Sequence, residues 1–248
     1  MFKINSILFN QVFKSSILSE TVKCNNFLLK QCANIHCFEP PKPVDSSDWP
    51  DNRKLRVVEK QPFFDTKPPK LPKMLRLLRG PEEVHTDLVY KQYGVKALLG
   101  GRMKHTNFEA VRRIIFKKLD TSRMFAFWRV EPPWQPMTKK GVGKRMGGGK
   151  GSAHHYATPV KAERIIIELG GNLDAHEARK ILGPVAEILP FPARFVSQKY
   201  LDDEREKEKL IKENNTNKFT MEYVIKNNMG GCQKWLSPYD YKWFGKYK

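Results

Sequence analysis

The chain has 248 residues and a formal net charge of +19, from 45 Lys and Arg against 26 Asp and Glu. Such an excess favours a polyanionic partner, and a spanning membrane segment is not expected because no apolar run approaches the roughly 20 residues one needs. Apolar residues make up 40%, enough for a core but below the usual share, which points to extensions outside a folded domain.

Residues 1–38 carry Lys3, Lys14, Lys23 and Lys30 against a single acid, Glu20, with Phe2, Ile4, Ile7, Leu8, Val12 and Phe13 between Ser and Asn residues. An acid-poor, amphipathic beginning of this kind reads as a mitochondrial transit peptide, although it lacks Arg; a plain disordered tail is the alternative. The four cysteines, Cys24, Cys32, Cys37 and Cys232, form no C-x-x-C pair. Cys32, His36 and Cys37 cluster loosely, but no second ligand pair follows at finger spacing, so no metal site is expected.

From 39 to 83 prolines recur (Pro40, Pro41, Pro43, Pro50, Pro62, Pro68, Pro69, Pro72) among basic residues such as Arg53, Lys54 and Arg56. Each proline removes a backbone donor and biases its predecessor toward extended structure. The stretch reads as an extended arm laid along a partner surface, or else as a solvated linker.

A folded domain is expected over 84–199. Leu88–Tyr90 and then Tyr93, Val95, Ala97 and Leu98 read as strands interrupted at Gly94. Thr106 with Glu109 forms a capping box ahead of Phe108, Val111, Ile115 and Leu119 at helical spacing. Arg112, Arg113, Lys117 and Lys118 occupy the helix's other faces. Met124–Val130 is β-rich; after a glycine-rich loop, His155–Val160 and Ile165–Leu169 read as two more strands, the second broken by Gly170-Gly171. Asp174 and Glu177 open a second helix with Ala178, Ile181, Leu182, Val185 and Leu189 on its apolar face, and Ala193–Val196 forms a last strand. This order predicts an α+β fold, a compact mixed sheet with two helices and a long basic loop, plus the N-terminal arm and a C-terminal extension. The extension, 200–248, starts with an Asp202–Glu213 run suited to an exposed helix. It ends with Trp235, Tyr239, Tyr241, Trp243, Phe244 and Tyr247 among lysines, rings that suit either base stacking or packing on a protein.

The loop from Pro136 to Gly151 holds Lys139, Lys140, Lys144, Arg145 and Lys150, six glycines and no acid. Glycine lets the backbone approach phosphates and expose N–H donors, lysines add point charges, and arginine offers a planar fork. The candidate RNA-binding residues are therefore these five cations, Gly147, Gly149 and Gly151, with Arg112 and Arg113 on the helix. A nucleotide loop of the form G-x-x-x-x-G-K-[ST] is excluded, because Lys144 stands at its first glycine and Gly151 at its Ser or Thr. The form G-x-G-x-x-G fails at Met146. His154-His155 invites a metal or acid–base role, but neighbours on a strand point to opposite faces, and packing or a phosphate contact is the expectation. No catalytic residue, metal or cofactor is expected.

Tyr93–Ala97, Arg129-Val130, Pro136, Arg145–Gly147 and Gly149–Gly151 resemble the L-sixteen family of large-subunit ribosomal proteins. Met124–Val130, Arg145–Gly151, His155–Ala162 and Leu236–Asp240 look like its animal mitochondrial branch, over about residues 75–248. The resemblance implies a non-enzymatic constituent of the mitochondrial large ribosomal subunit, in the matrix. Its implied partners are large-subunit rRNA, the acceptor arm of tRNA near the peptidyl-transferase region, and neighbouring mitochondrial ribosomal proteins. Bacterial members commonly carry Lys where Gly148 stands and Tyr-Trp where His155-Tyr156 stands, which leaves Arg145 and Lys150 as the best carried-over contacts. A free-standing mitochondrial RNA-binding or ribosome-assembly factor is the alternative.

Overall fold

The computed structural model describes residues 44–63 and 75–247. The expected transit segment, and with it Cys24, Cys32, His36 and Cys37, lies outside them. Strands Tyr93–Ala97 (β1), Met124–Trp128 (β3), Ile165–Gly171 (β6) and Ala193–Ser197 (β7) form a four-stranded sheet ordered β3-β6-β1-β7. Strands Gly101–Lys104 (β2), Gln135–Thr138 (β4) and Ala153–Val160 (β5) form a second sheet ordered β2-β5-β4. Every one of these strand pairs is antiparallel. The fold is α+β as expected, but the strands divide between two sheets instead of sharing one mixed sheet.

Helices His105–Lys118 (α1) and Ala175–Ile188 (α2) cover one face of the larger sheet. Phe108, Val111 and Ile115 of α1 and Ala178, Ile181, Leu182 and Val185 of α2 are buried, a stripe at helical spacing that meets Val95, Ala97, Met124, Ala126, Ile167 and Leu169 from the strands. Helix α1 starts one residue before Thr106: Asn107 Oδ1 accepts from the Lys104 N–H at 3.1 Å, so Asn107 does the work expected of Glu109. Glu177 likewise leaves the cap and grips Arg123 of the β3 approach in two bonds (2.5 and 3.2 Å). Pro184 sits inside α2 and has no N–H for the Lys180 carbonyl. The Lys118 ammonium donates to that carbonyl instead, at 2.8 Å, and so fastens the end of α1 to the middle of α2.

The opposite face is organised by a bulge. Lys96 pairs with Ile165 and Val95 with Ile167, so Ile166 is the extra residue and Ile165 falls on the same side as Glu168. Ile165 there meets Leu88, Val196 and Leu201. Leu88–Tyr90 is not a strand. It is a coil held by one side chain: the 2% exposed Glu168 carboxylate accepts from the N–H of Val89 (3.1 and 2.9 Å) and of Tyr90 (3.3 Å), with Arg129 Nε 3.1 Å away. Gly94 does not interrupt β1; it makes room for this coil, since a Cβ there would lie 2.7 Å from Leu88 Cδ2. Tyr90 then closes edge-on against Phe125 and Phe127.

The remaining segments fold onto this body. Trp49 meets Phe125 and carries the Arg53 guanidinium on its ring. The Ala126 N–H donates to the Arg53 carbonyl (3.0 Å), the Trp128 indole donates to the Arg56 carbonyl (3.0 Å), and Leu55 and Val58 are buried. The surface along which residues 44–63 lie is thus the chain's own domain. Helix Gln198–Glu213 (α3) is capped by Ser197, buries Leu201, and sets Glu204 between Lys96 (3.1 Å) and Arg194 (2.7 Å). Short helices Met221–Lys226 (α4) and Asp240–Trp243 (α5) follow. Tyr239 stacks on Trp243 and lies under Arg79, while a Cβ at Gly80 would run into the Trp243 ring. Tyr247 donates to Glu163 at 2.5 Å, and burial together with that carboxylate pushes its phenol up to about 12. These three rings of the extension are engaged inside the molecule.

Burial raises the Glu168 carboxyl above the ordinary 4.5, against the pull of the Val89 N–H, Arg129 and the Tyr90 N–H. The folded chain therefore holds this proton more tightly than the unfolded chain. The contribution of Glu168 to stability is greatest in acid and declines as pH rises from about 4.5 through the folded value. Denaturant melts of Glu168→Gln should lack that decline, so the gap between wild type and variant shifts in favour of Gln as pH rises. Glu168→Ala, which strands Arg129 and the coil's N–H groups, should cost about 3–5 kcal/mol at neutral pH.

Candidate nucleic-acid interface

The smaller sheet presents the basic loop. β5 is its middle strand, β2 lies on one side and β4 on the other, so the loop joins two neighbouring strands. Pro136 is tolerated because β4 is an edge, where a missing N–H costs no ladder bond. The sheet is seated by Met103 and Val160, both buried in the main core, and by Gln135, also buried, which accepts from Arg102 Nε at 3.4 Å. Thr158 Oγ1 donates to the Glu131 carbonyl (2.9 Å) and fixes the turn before β4.

The Lys139 N–H donates to the Ser152 carbonyl at 3.2 Å, the last rung before the loop opens. Residues 141–150 are all exposed, including the apolar Val142 and Met146, so the loop has no core of its own. Its internal bonds are few: Lys144 N–H to the Gly141 carbonyl (3.4 Å), Gly149 N–H to the Gly147 carbonyl (2.8 Å), and Lys140 Nζ to the Arg145 carbonyl (3.2 Å). None of Lys139, Lys140, Lys144, Arg145 and Lys150 forms an ion pair among the described residues. Five cations thus stand on one exposed loop without an internal counter-charge, an arrangement that attracts a polyanion.

The glycines divide by cause. Gly143, Gly147 and Gly149 have φ of +82°, +93° and +83°, where a side chain is strained even though space is open. At Gly151 the limit is room, because a Cβ would lie 2.7 Å from the Lys139 carbonyl oxygen across the loop's base. Gly141 and Gly148 have neither restriction.

His154 and His155 do not point apart. The register slips between Met137 and Thr138, so that His155 faces Met137 while Ala153 faces Thr138, and His154 takes the bulge between them. Their Nδ1 atoms come to 3.0 Å with the rings edge to face, a hydrogen bond that one shared proton makes. Among the described residues no group of three metal-ligating side chains exists. Burial, then Lys104, then His154 hold the His155 imidazole below the ordinary 6.5. Lys104 lies across the sheet from Ala157, and sequence spacing carries no sign that it would act on His155.

The two helix arginines differ. Arg112 is taken by Glu109 (3.2 and 2.9 Å), whereas Arg113 is exposed. No hydrogen bond or ion pair among the described residues joins either to the loop.

The loop, both central helices and both sheets, apart from the last residue of β7, fall within residues 66–196, which match the family model described as ribosomal protein L16p/L10e. This chain belongs to that family. It is similar to the large ribosomal subunit protein uL16 of Salinibacter ruber, 35% identical over 133 residues that make up 53% of this chain and 90% of the relative. It is also similar to the uL16 protein of Neorickettsia sennetsu, 34% identical over 111 residues, 45% of this chain and 78% of the relative. L16-family proteins are structural components and not enzymes.

Two measurements follow. Gly151→Ala should spread the loop's base and weaken polyanion binding several-fold, while Gly141→Ala, with open space for its methyl, should leave it unchanged in the same filter-binding assay. In an NMR titration the His155 imidazole should have its midpoint below 6.5, and His154→Ala should move it upward.

Proposed function

We propose that this protein is a structural constituent of the mitochondrial large ribosomal subunit. Its loop from 136 to 151 binds rRNA and helps position the acceptor arm of tRNA near the peptidyl-transferase region. The observation that carries this reading is the set of five uncompensated cations on an exposed glycine loop, in a chain of the L16p/L10e family. Family membership supports the large-subunit role at the coarser level, and the bacterial relatives are themselves large-subunit proteins. The mitochondrial part rests on the acid-poor, lysine-bearing residues 1–38 and on the sequence resemblance to animal mitochondrial members.

The loop works by electrostatics. Phosphates approach the glycine backbone closely, Lys139, Lys140, Lys144 and Lys150 neutralise them, and Arg145 supplies a fork able to hold two acceptors or lie on a base. Ordering ten exposed residues costs entropy, which bound phosphates repay, so the loop takes its working shape on RNA.

RNA affinity of the purified chain should fall steeply with salt, with a log–log slope of about −0.7 per phosphate contact on single strands. Replacing all five loop cations by Ala should flatten that slope, leave the melting temperature unchanged and impair mitochondrial peptide synthesis. Normal synthesis with all five replaced would overturn the proposal. Stoichiometric cosedimentation with mitochondrial large subunits in high salt is expected of a constituent; loss from mature particles would favour the assembly-factor alternative.

A further inference from the structure

The region beyond the family match has rings that the fold leaves exposed. Tyr239, Trp243 and Tyr247 are spent on Arg79, Gly80 and Glu163, as described above. Phe219, Trp235 and Tyr241 are different: they are 60%, 77% and 44% exposed, with Phe219 meeting the exposed Tyr223 ring edge-on at 6.0 Å between centroids. Each has a lysine as its chain neighbour, giving Lys218-Phe219, Lys234-Trp235 and Tyr241-Lys242.

The lysines sort the same way as the rings. Lys226 is neutralised by Glu222 (2.6 Å) and Lys246 by Glu208 (3.2 Å). Lys218, Lys234 and Lys242, the three beside exposed rings, are exposed and have no carboxylate partner among the described residues. The segment that carries them has buried packing of its own. α4 packs on the turn Met229–Lys234 through buried Ile225 and Cys232, with Gln233 Nε2 donating to the Ile225 carbonyl at 3.1 Å.

We propose that residues 218–242 form a second RNA contact, separate from the glycine loop. Unpaired bases of rRNA stack on Phe219, Trp235 and Tyr241, and the flanking phosphates meet Lys218, Lys234 and Lys242. This rests on the reading of the protein as an rRNA-binding constituent and extends it to a region outside 66–196. Single-stranded RNA is the occupant because rings stack on bases that are splayed out of a duplex, and each ring here has beside it in the chain an exposed lysine with no carboxylate partner among the described residues. An apolar protein groove would cover the rings but would desolvate three unpaired ammonium groups, an arrangement that protein interfaces avoid at their cores.

The test uses the full chain with the five loop cations replaced by Ala, so that the loop no longer contributes. Binding of an oligouridine of about 15 nucleotides is followed by anisotropy and by tryptophan emission. The expected result is residual binding with quenching that Trp235→Phe removes. Phe219→Ala, Trp235→Ala and Tyr241→Ala together should lower affinity at least about tenfold, since each stacked base contributes that order. All three side chains are exposed, so the variants should fold, and an unchanged melting temperature checks this. Affinity unmoved by the ring substitutions, or Trp235 emission blind to RNA, would overturn the inference. If in that case the protein with its native loop still binds RNA, the loop reading stands alone; if it does not, both fall. Trp235 shielded only by ribosomal proteins in the absence of RNA would also overturn it, in favour of a protein-docking face.

Discussion

A single buried carboxylate holds the domain's second face together. Glu168 lies on β6, one of the two inner strands of the larger sheet, where both neighbours are other strands and every position is buried. A carboxylate there is tolerated only because it is fully occupied, by Arg129 and by the backbone of the coil that crosses above it. In return it fixes where that coil runs. Leu88 then fills the space left by Gly94, Tyr90 closes on Phe125 and Phe127, and Leu201 of α3 completes the layer. Without this anchor the sheet would present an apolar face that only one side of the molecule covers.

Much of this was legible in the sequence, and the rest was hidden for identifiable reasons. The two central helices and four strands of the larger sheet follow from local periodicity, which burial then confirms at Phe108, Val111, Ile115, Ala178, Ile181, Leu182 and Val185. The second sheet was concealed because β2 is only four residues long and opens on glycine, while β4 contains Pro136. Both are edges, and edge strands obey weaker composition rules. The cap at Asn107 and the departure of Glu177 toward Arg123 show tertiary partners overriding a local motif. The histidine pair needed a bulge, which is a property of register between two strands and leaves no trace in either one alone. Glu168 itself reads only as one acid in an apolar run; its partners are some 40 and 80 residues away in sequence.

The candidate interface was legible in composition and illegible in geometry. Composition marks the loop as basic, acid-free and glycine-rich. Only the structure separates glycines needed for backbone sign (Gly143, Gly147, Gly149) from the one needed for clearance (Gly151). It also separates Arg113, exposed, from Arg112, which already has a partner in Glu109. The rigid part ends at the rung between Lys139 and Ser152. A stiff sheet below and an uncompensated, coreless loop above divide the labour between position and adaptability.

The hydrogen bond from Ala126 to Arg53 has a further meaning for how the chain avoids its own kind. β3 is the outermost strand of its sheet, and an open strand edge is a template for pairing with another molecule. The proline-bearing stretch that runs past it occupies that edge, yet with Pro50 and Pro62 near its ends it is a poor template in turn. A segment outside the family's matched region thereby serves as a guard rail against self-association. Losing it would expose Met124–Trp128, with its three aromatic residues, as an adhesive strip on an otherwise intact domain.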